Sequence, residues 1–94
     1  MALQFVWDPD KDAENVRRHH VDFEEASSVF KDPLSLTVPD PDHSLEEERF
    51  LLLGLSRRGR LLVVAHIERG DFIRLISARW PTRRERRAYE EEDR

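Results

Sequence analysis

The sequence predicts an α+β fold, with helices early in the chain and strands late. Two helix-start signals occupy the first third, and three apolar, strand-like runs separated by short turns occupy positions 50–78. Connections this short join antiparallel neighbours. Helices segregated from a mostly antiparallel sheet define the α+β class. The predicted order is β-α-α-β-β-β-β-α.

The chain is predicted to begin with a short strand, Leu3–Trp7, and a helix. Asp8 is suited to accept backbone N–H groups as the N-cap, and Pro9 fits the first turn, so the helix is predicted to run to about His20. Spacings of three and four residues define two neighbouring stripes on it, Ala13, Val16 and His20 on one and Lys11, Asn15 and His19 on the other.

A second helix is predicted to follow at once. Asp22 is its N-cap, with Glu25 completing a capping-box-like pair. It ends at Asp32-Pro33, because the residue before proline avoids helical geometry. Its predicted apolar face comprises Phe23, Ala26, Val29 and Phe30. A short strand, Leu34–Val38, and an acidic exposed loop, Asp40–Glu48, come next.

The three most apolar segments of the chain are predicted to form a three-stranded antiparallel meander. They are Phe50–Leu55, Leu61–Ile67 and Phe72–Ala78. Pro81-Thr82 then opens a last helix, with Thr82 and Glu85 as a second capping box. Because this helix contains four arginines, only Ala88 and Tyr89 are predicted to pack it against the sheet.

The last hairpin indicates which side chains share a face. If Arg69-Gly70 is a two-residue turn, Glu68 pairs with Asp71 and pairing continues outward. One face, expected to be the helix-covered core, then carries Leu61, Val63, Ala65, Ile67, Phe72, Ile76 and Ala78, with Arg74 as its sole charge. The other carries Arg60, Leu62, Val64, His66, Glu68, Ile73, Leu75, Ser77 and Arg79. A slip of one residue would reverse this assignment.

Length and composition favour a single domain, 1–94, that is soluble and cytoplasmic. The chain has no cysteine, which excludes disulfides and thiolate metal sites, and its four histidines lack the spacing of a zinc motif. No apolar stretch approaches the length of a membrane helix. Neither a metal nor a cofactor is therefore predicted.

Charge is distributed unevenly along the chain. Residues 1–48 carry four basic and thirteen acidic side chains, whereas residues 49–87 carry eleven arginines and three acids. Arginine grips phosphate through two parallel hydrogen bonds and stacks on bases. The basic half therefore predicts a phosphate-rich partner, most simply a nucleic acid.

RNA cleavage suits such a surface, because RNA carries its own nucleophile, the 2′-hydroxyl. The protein must promote loss of that proton, stabilise charge on phosphorus and protonate the leaving oxygen, and no metal is required. The candidate catalytic residues are Arg79, Ser77, His66 and Lys11, and the candidate RNA-binding residues are Arg60, Arg74, Arg83 and Arg84. Structural roles stay open for six of these eight residues: sheet hydrogen bonds for His66 and Ser77, an ion pair for Arg74, and plain surface for Lys11 and for Arg83 and Arg84 of the last helix.

Several motifs resemble the BrnT family of toxins over nearly the whole chain. They are Phe5-x-Trp7-Asp8-Pro9-x-Lys11, Asn15-x-x-Arg18-His19, Val21-x-Phe23-Glu24-Glu25-Ala26, Arg74-Leu75-Ile76-Ser77-Ala78-Arg79 and Arg83-Arg84-Glu85. Glycine commonly follows the first-helix histidine of the family, where this chain has His20.

The resemblance implies a type II toxin–antitoxin toxin with a RelE-like fold. It further implies a ribonuclease that arrests translation and a BrnA-like antitoxin that neutralises it. Such antitoxins carry a DNA-binding segment, so operator DNA would be bound only through the complex. Two alternatives remain at this point. The arginines could form a non-catalytic module that binds nucleic acid or a partner protein, or they could serve mainly to bind the antitoxin.

Overall fold

Helices and strands follow one another in the predicted order. The computed structural model describes residues 3–42 and 48–92, so most of the predicted acidic loop, positions 43–47, lies outside the described residues. The elements are β1 (Gln4–Val6), α1 (Pro9–His19), α2 (Phe23–Ser28), a 3₁₀ turn (Val29–Lys31), β2 (Leu36–Pro39), β3 (Arg49–Leu55), β4 (Leu61–Arg69), β5 (Phe72–Arg79) and α3 (Arg83–Glu92). This confirms the predicted α+β class.

The strands within the described ranges form one sheet in the order β1-β5-β4-β3-β2. β1 runs parallel to β5, and the remaining neighbours are antiparallel, so the predicted meander of β3, β4 and β5 is confirmed. β1 pairs only with Phe72–Arg74. The later half of β5 therefore pairs with β4 on one side but has no strand on the side of β1, where α1 packs instead.

The main core lies between the sheet and α2. Its buried residues are Val21, Phe23, Ala26 and Val29 above the sheet and Leu52, Leu62, Val64, Ile73, Leu75 and Ala78 on it. We call this side the α2 face. On the opposite side, the α3 face, Tyr89 packs with the smaller buried cluster of Leu53, Leu61 and Val63.

The face that carries Leu61 and Val63 was predicted to be the helix-covered core, but it packs with Tyr89 of α3 in the smaller cluster, and the main core lies on the opposite face. Every residue from Leu61 to Ile67 is buried, because β4 is a central strand with helices on both sides. A strand that is apolar on both faces contains no alternation from which to choose the helix-covered face.

Side-chain caps begin the helices as predicted. Asp8 accepts from Asp10 N at 2.8 Å, and Asp22 accepts from Glu25 N at 2.7 Å. At the end of α1, His20 adopts φ 61° and ψ 33°. This left-handed conformation favours glycine, so the histidine there is a strained choice.

Helix α1 docks through a polar residue. Of its eleven residues, all of which the structure describes, only Asn15 is buried. Val16, on the other predicted stripe, is 42 % exposed. No helix in the described part of the chain combines the length and apolar character needed to cross a membrane.

Candidate active site

A cleft of about 310 Å³ opens on the α3 face beside the start of α3. Its floor spans three strands, because Leu51, Ala65 and Ser77 are successive register partners on β3, β4 and β5. Its charged lining residues are Asp40, Asp42, Arg49, Arg79 and Glu85. The cleft therefore combines guanidinium groups, carboxylates and one hydroxyl over an apolar floor.

Arg79, at the end of β5, binds Glu85 of α3 through two parallel hydrogen bonds. Nη1 donates to Oε1 at 2.9 Å and Nη2 donates to Oε2 at 3.0 Å. Nη1 also donates to the carbonyl oxygen of Trp80 at 3.1 Å. The hydrogen bond to Glu85 raises the pKa of Arg79 above its already high ordinary value, so the guanidinium stays charged.

Glu85 is itself held by the predicted capping box. Thr82 N donates to Glu85 Oε1 at 2.8 Å, and Glu85 N donates to Thr82 Oγ1 at 3.1 Å. The hydrogen bond from Arg79, aided by that from Thr82, lowers the pKa of Glu85 to about 2. Glu85 is thus ionised at neutral pH and is a weak base.

A β-bulge decides which face Ser77 and Arg79 occupy. The hairpin turn is Gly70-Asp71, because Arg69 pairs with Phe72, so the predicted turn at Arg69-Gly70 was wrong. Ala65 pairs with Ser77 but His66 pairs with Leu75, which leaves Ile76 as an extra residue. The extra residue turns Ser77 and Arg79 to the α3 face, opposite to the predicted one.

His66 lies on the α2 face, away from the cleft. It is fully buried, with Phe30 and Phe50 beside its ring at centroid distances of 4.8 and 5.9 Å. Its Nε2 is 3.0 Å from Glu68 Oε2, and its Nδ1 is 3.3 Å from the carbonyl oxygen of Val64. The sheet thus separates His66 from Ser77 and Arg79, although all three were predicted to lie on the same face of the sheet.

Lys11 lies on the exposed surface of α1, in a small groove of about 120 Å³ next to β5. The same groove is lined by Arg18 and His19, and it shares Ile76 and Ser77 with the cleft. The bulge therefore lies between the groove and the cleft, with Lys11 and Arg18 of α1 on one side and Arg79 on the other.

Arg60, a predicted RNA-binding residue, forms an ion pair with the buried carboxylate of Glu25. Its Nη2 and Nε donate to the carboxylate of Glu25, which is 2 % exposed and also accepts from Ser56 Oγ at 2.7 Å. The hydrogen bond from Arg60 lowers the pKa of Glu25 below its ordinary value. Arg60 also lies over the Trp80 ring, 5.2 Å from its centroid. Most of its donors are therefore engaged within the protein.

The remaining predicted RNA-binding residues are exposed. Arg74 lies on the α3 face opposite Ile67, and Arg83 and Arg84 form the first turn of α3. None of the three makes an ion pair with any residue in the described part of the chain. They are consequently available to a polyanion.

Sequence reasoning missed several residues that line these two depressions. Glu85 was identified only as a cap, although a capping glutamate so near the end of β5 was a usable signal. Asp40 follows β2 and Arg49 begins β3. Both lie near Arg79 because of the register between strands, which local sequence patterns do not predict. Arg18 and His19 were not chosen as site residues, although His19 shares its predicted stripe with Lys11.

Other features of the described residues do not add to the site. Among residues 3–42 and 48–92 there is no group of three or more His, Asp and Glu side chains arranged to hold a metal ion. A larger depression of about 850 Å³, lined by Leu3, Phe5, Phe30 and Leu55 among others, contains none of the predicted site residues.

Comparison with known proteins supplies a family and a related fold. The family model described as the ribonuclease toxin, BrnT, of type II toxin–antitoxin systems matches residues 7–85. The fold is similar to the crystal structure of the Brucella abortus ribonuclease toxin, BrnT, with a TM-score of 0.67 and 18% sequence identity over 87% of this chain and 100% of that one. No curated protein matches at a significant level.

Proposed function

The chain belongs to the BrnT family of ribonuclease toxins of type II toxin–antitoxin systems, and we propose that it cleaves RNA at the cleft beside α3 without a metal ion. The membership confirms the prediction of a ribonuclease. The observation that carries the choice of site is the bulge at Ile76, which brings Ser77 and Arg79 to one concave surface with Arg49. We propose further that cleavage inhibits translation.

The proposed chemistry uses the 2′-hydroxyl of the substrate as the nucleophile. Arg79 stabilises the extra negative charge that develops on the phosphoryl oxygens, a task for a fixed cation in a partly enclosed cleft. Ser77 orients a phosphate oxygen. The 2′-hydroxyl loses its proton to a base on the protein, and its oxygen attacks phosphorus to form the 2′,3′-cyclic phosphate. The bond between phosphorus and the 5′-oxygen breaks, and an acid on the protein gives a proton to the leaving oxygen.

Proton transfer is assigned to the groove on α1. Lys11 and His19 line it together with Ser77, and either group has a titratable nitrogen on the substrate side of the sheet. His66 is not favoured for this role, because it is buried on the opposite face. The exposed arginines of α3 and Arg74 are proposed to hold the RNA backbone, whereas Arg60 is proposed to act mainly through its ion pair.

Membership in a type II toxin family implies an antitoxin protein as partner. We propose that this partner is BrnA-like, that it neutralises the toxin in the cytoplasm, and that the complex rather than the free toxin contacts operator DNA. The family membership supports these proposals.

The proposed activity is tested by incubating the purified protein with a defined RNA in the presence of EDTA. We expect cleavage that leaves a 2′,3′-cyclic phosphate, and an Arg79→Ala variant is expected to lose at least about 100-fold in rate. Arg17→Ala is the matched control, since it removes the same charge from an exposed pair with Glu14. Abolition of cleavage by EDTA, or full activity of Arg79→Ala, would refute the proposed mechanism.

A further inference from the structure

One edge of the Arg79 guanidinium carries two N–H groups that have no hydrogen-bond acceptor among the described residues. The group has five N–H donors. Three of these are used: two from Nη1, to Glu85 and to the carbonyl oxygen of Trp80, and one from Nη2 to Glu85. The Nε–H and the second Nη2–H have no acceptor in the described part of the chain. These two donors lie on the same edge of the planar group, parallel to each other.

An edge of this kind matches a phosphate. Two parallel N–H groups can bind two oxygens of one phosphoryl group, which is the bidentate geometry that arginine favours. Glu85 occupies the end of the guanidinium formed by both Nη atoms and not this edge. The carboxylate and a phosphate can therefore bind Arg79 at the same time.

Glu85 is well suited to fix that edge in place. Both of its oxygens accept from Arg79, and Oε1 also accepts from the backbone of Thr82 at the start of α3. The side chain of Arg79 is consequently tied to the first turn of a helix, and it has little freedom to rotate about its own long axis.

We propose that Glu85 is a positioning residue for RNA cleavage, which orients the free edge of Arg79 towards the scissile phosphate. The proposal rests on the proposed function, in which Arg79 stabilises the transition state. Outright removal of one charge-stabilising donor typically reduces the rate by about 10²–10³-fold, and loss of its orientation should cost somewhat less. A carboxylate that competed with RNA for Arg79 would have the opposite effect, so positioning and competition predict kinetic changes of opposite sign.

The test compares Glu85→Ala and Glu85→Gln with the full-length wild-type toxin in steady-state cleavage of a short RNA. We expect Glu85→Ala to lower kcat by about 30- to 100-fold while KM is unchanged or lower, because a negative charge has been removed from the binding surface. Glu85→Gln retains one neutral hydrogen bond to Arg79 and should recover part of kcat. Glu90→Ala removes the same charge from an exposed position of α3 and should change kcat by less than about twofold.

A double-mutant cycle separates positioning from a general loss of structure. If Glu85 acts through Arg79, adding Glu85→Ala to Arg79→Ala should cost little further activity. A rise in kcat in either Glu85 variant would show competition and overturn the proposal, as would a fall in kcat matched by loss of folded protein in circular dichroism. Full activity of Arg79→Ala would instead overturn the proposed site, and the role of Glu85 with it.

Discussion

At the scale of single residues, Asn15 joins α1 both to the segment that follows it and to β5, 63 positions away. Its Nδ2 donates to the carbonyl oxygens of Val21 and Ala78 at 2.9 and 2.8 Å, and its Oδ1 accepts from Ala78 N at 3.0 Å. Ala78 lies in the half of β5 that extends beyond β1, so no strand pairs with it on that side of the sheet. The amide of Asn15 thus makes the hydrogen bonds to Ala78 that a neighbouring strand would otherwise make.

We predict that Asn15→Ala will lower the free energy of unfolding by about 2–4 kcal/mol, because it leaves buried backbone groups without partners. Val16→Ala, one position along α1 and exposed, should change it by no more than about 0.5 kcal/mol. Urea denaturation measures both. Equal losses of unfolding free energy in the two variants would mean that Asn15 does not dock α1 against β5.

Glu25 shows why a residue-level prediction can be half right. The capping-box pattern correctly identified Asp22 as the cap, since that bond forms within one turn. The side chain of Glu25 does not return to the cap and instead binds Arg60 and Ser56, more than thirty positions away. Local spacing predicts hydrogen bonds within a helix, but it cannot predict that Arg60, at the start of β4, lies next to Glu25 in the fold.

At the scale of helices and strands, α3 depends on few side chains to stay docked. Tyr89 is buried, and its hydroxyl donates to Asp32 Oδ2 at 2.6 Å, whereas Ala88, the other predicted docking residue, is exposed. Asp32 also accepts from Leu55 N and Leu34 N, so it joins the end of the 3₁₀ segment, β3 and α3.

We predict that Tyr89→Phe will destabilise the protein by about 1–3 kcal/mol, because a hydrogen bond to a charged group is lost while the ring remains. Amide hydrogen exchange should accelerate most in α3, where the change acts. Ala88→Gln substitutes an exposed position of the same helix and should leave exchange in α3 nearly unchanged. Uniform acceleration across β4 as well would argue that α3 unfolds only with the whole protein.

The elements themselves were largely predictable, and their lateral arrangement was not. Caps at Asp8, Asp22 and Thr82 and turns between apolar runs are local signals, and the structure confirms the elements they predicted. The bulge at Ile76 has no such signal, because it depends on pairing between β4 and β5. Consequently the same reasoning that found Ser77 and Arg79 placed them on the wrong face, together with His66.

At the scale of the whole molecule, acidic and basic residues that are separated in sequence meet as ion pairs in the fold. Glu25 of the acidic first half pairs with Arg60 of the basic second half, whereas Glu85 and Arg79 pair within the second half. Three carboxyl groups of the described residues have lowered pKa values. Arg60 lowers the pKa of Glu25, and Arg79 lowers that of Glu85 to about 2. Burial alone would raise the pKa of Asp32, but hydrogen bonds from Leu55, Tyr89 and Leu34 outweigh it.

These shifts predict how stability depends on pH. Because the folded pKa values lie below the unfolded ones, the unfolded chain binds more protons between about pH 4.5 and 2, so stability is complete above this window and is lost as the pH falls through it. The thermal midpoint should change little between pH 6 and 4.5 and should then fall at pH 3 and again at pH 2.5. Glu85→Gln should be less stable than wild type at pH 6, and the gap should narrow towards pH 2.5, whereas Glu90→Gln controls for net charge. A gap that stays constant with pH would show that the charge of Glu85 contributes nothing to folding.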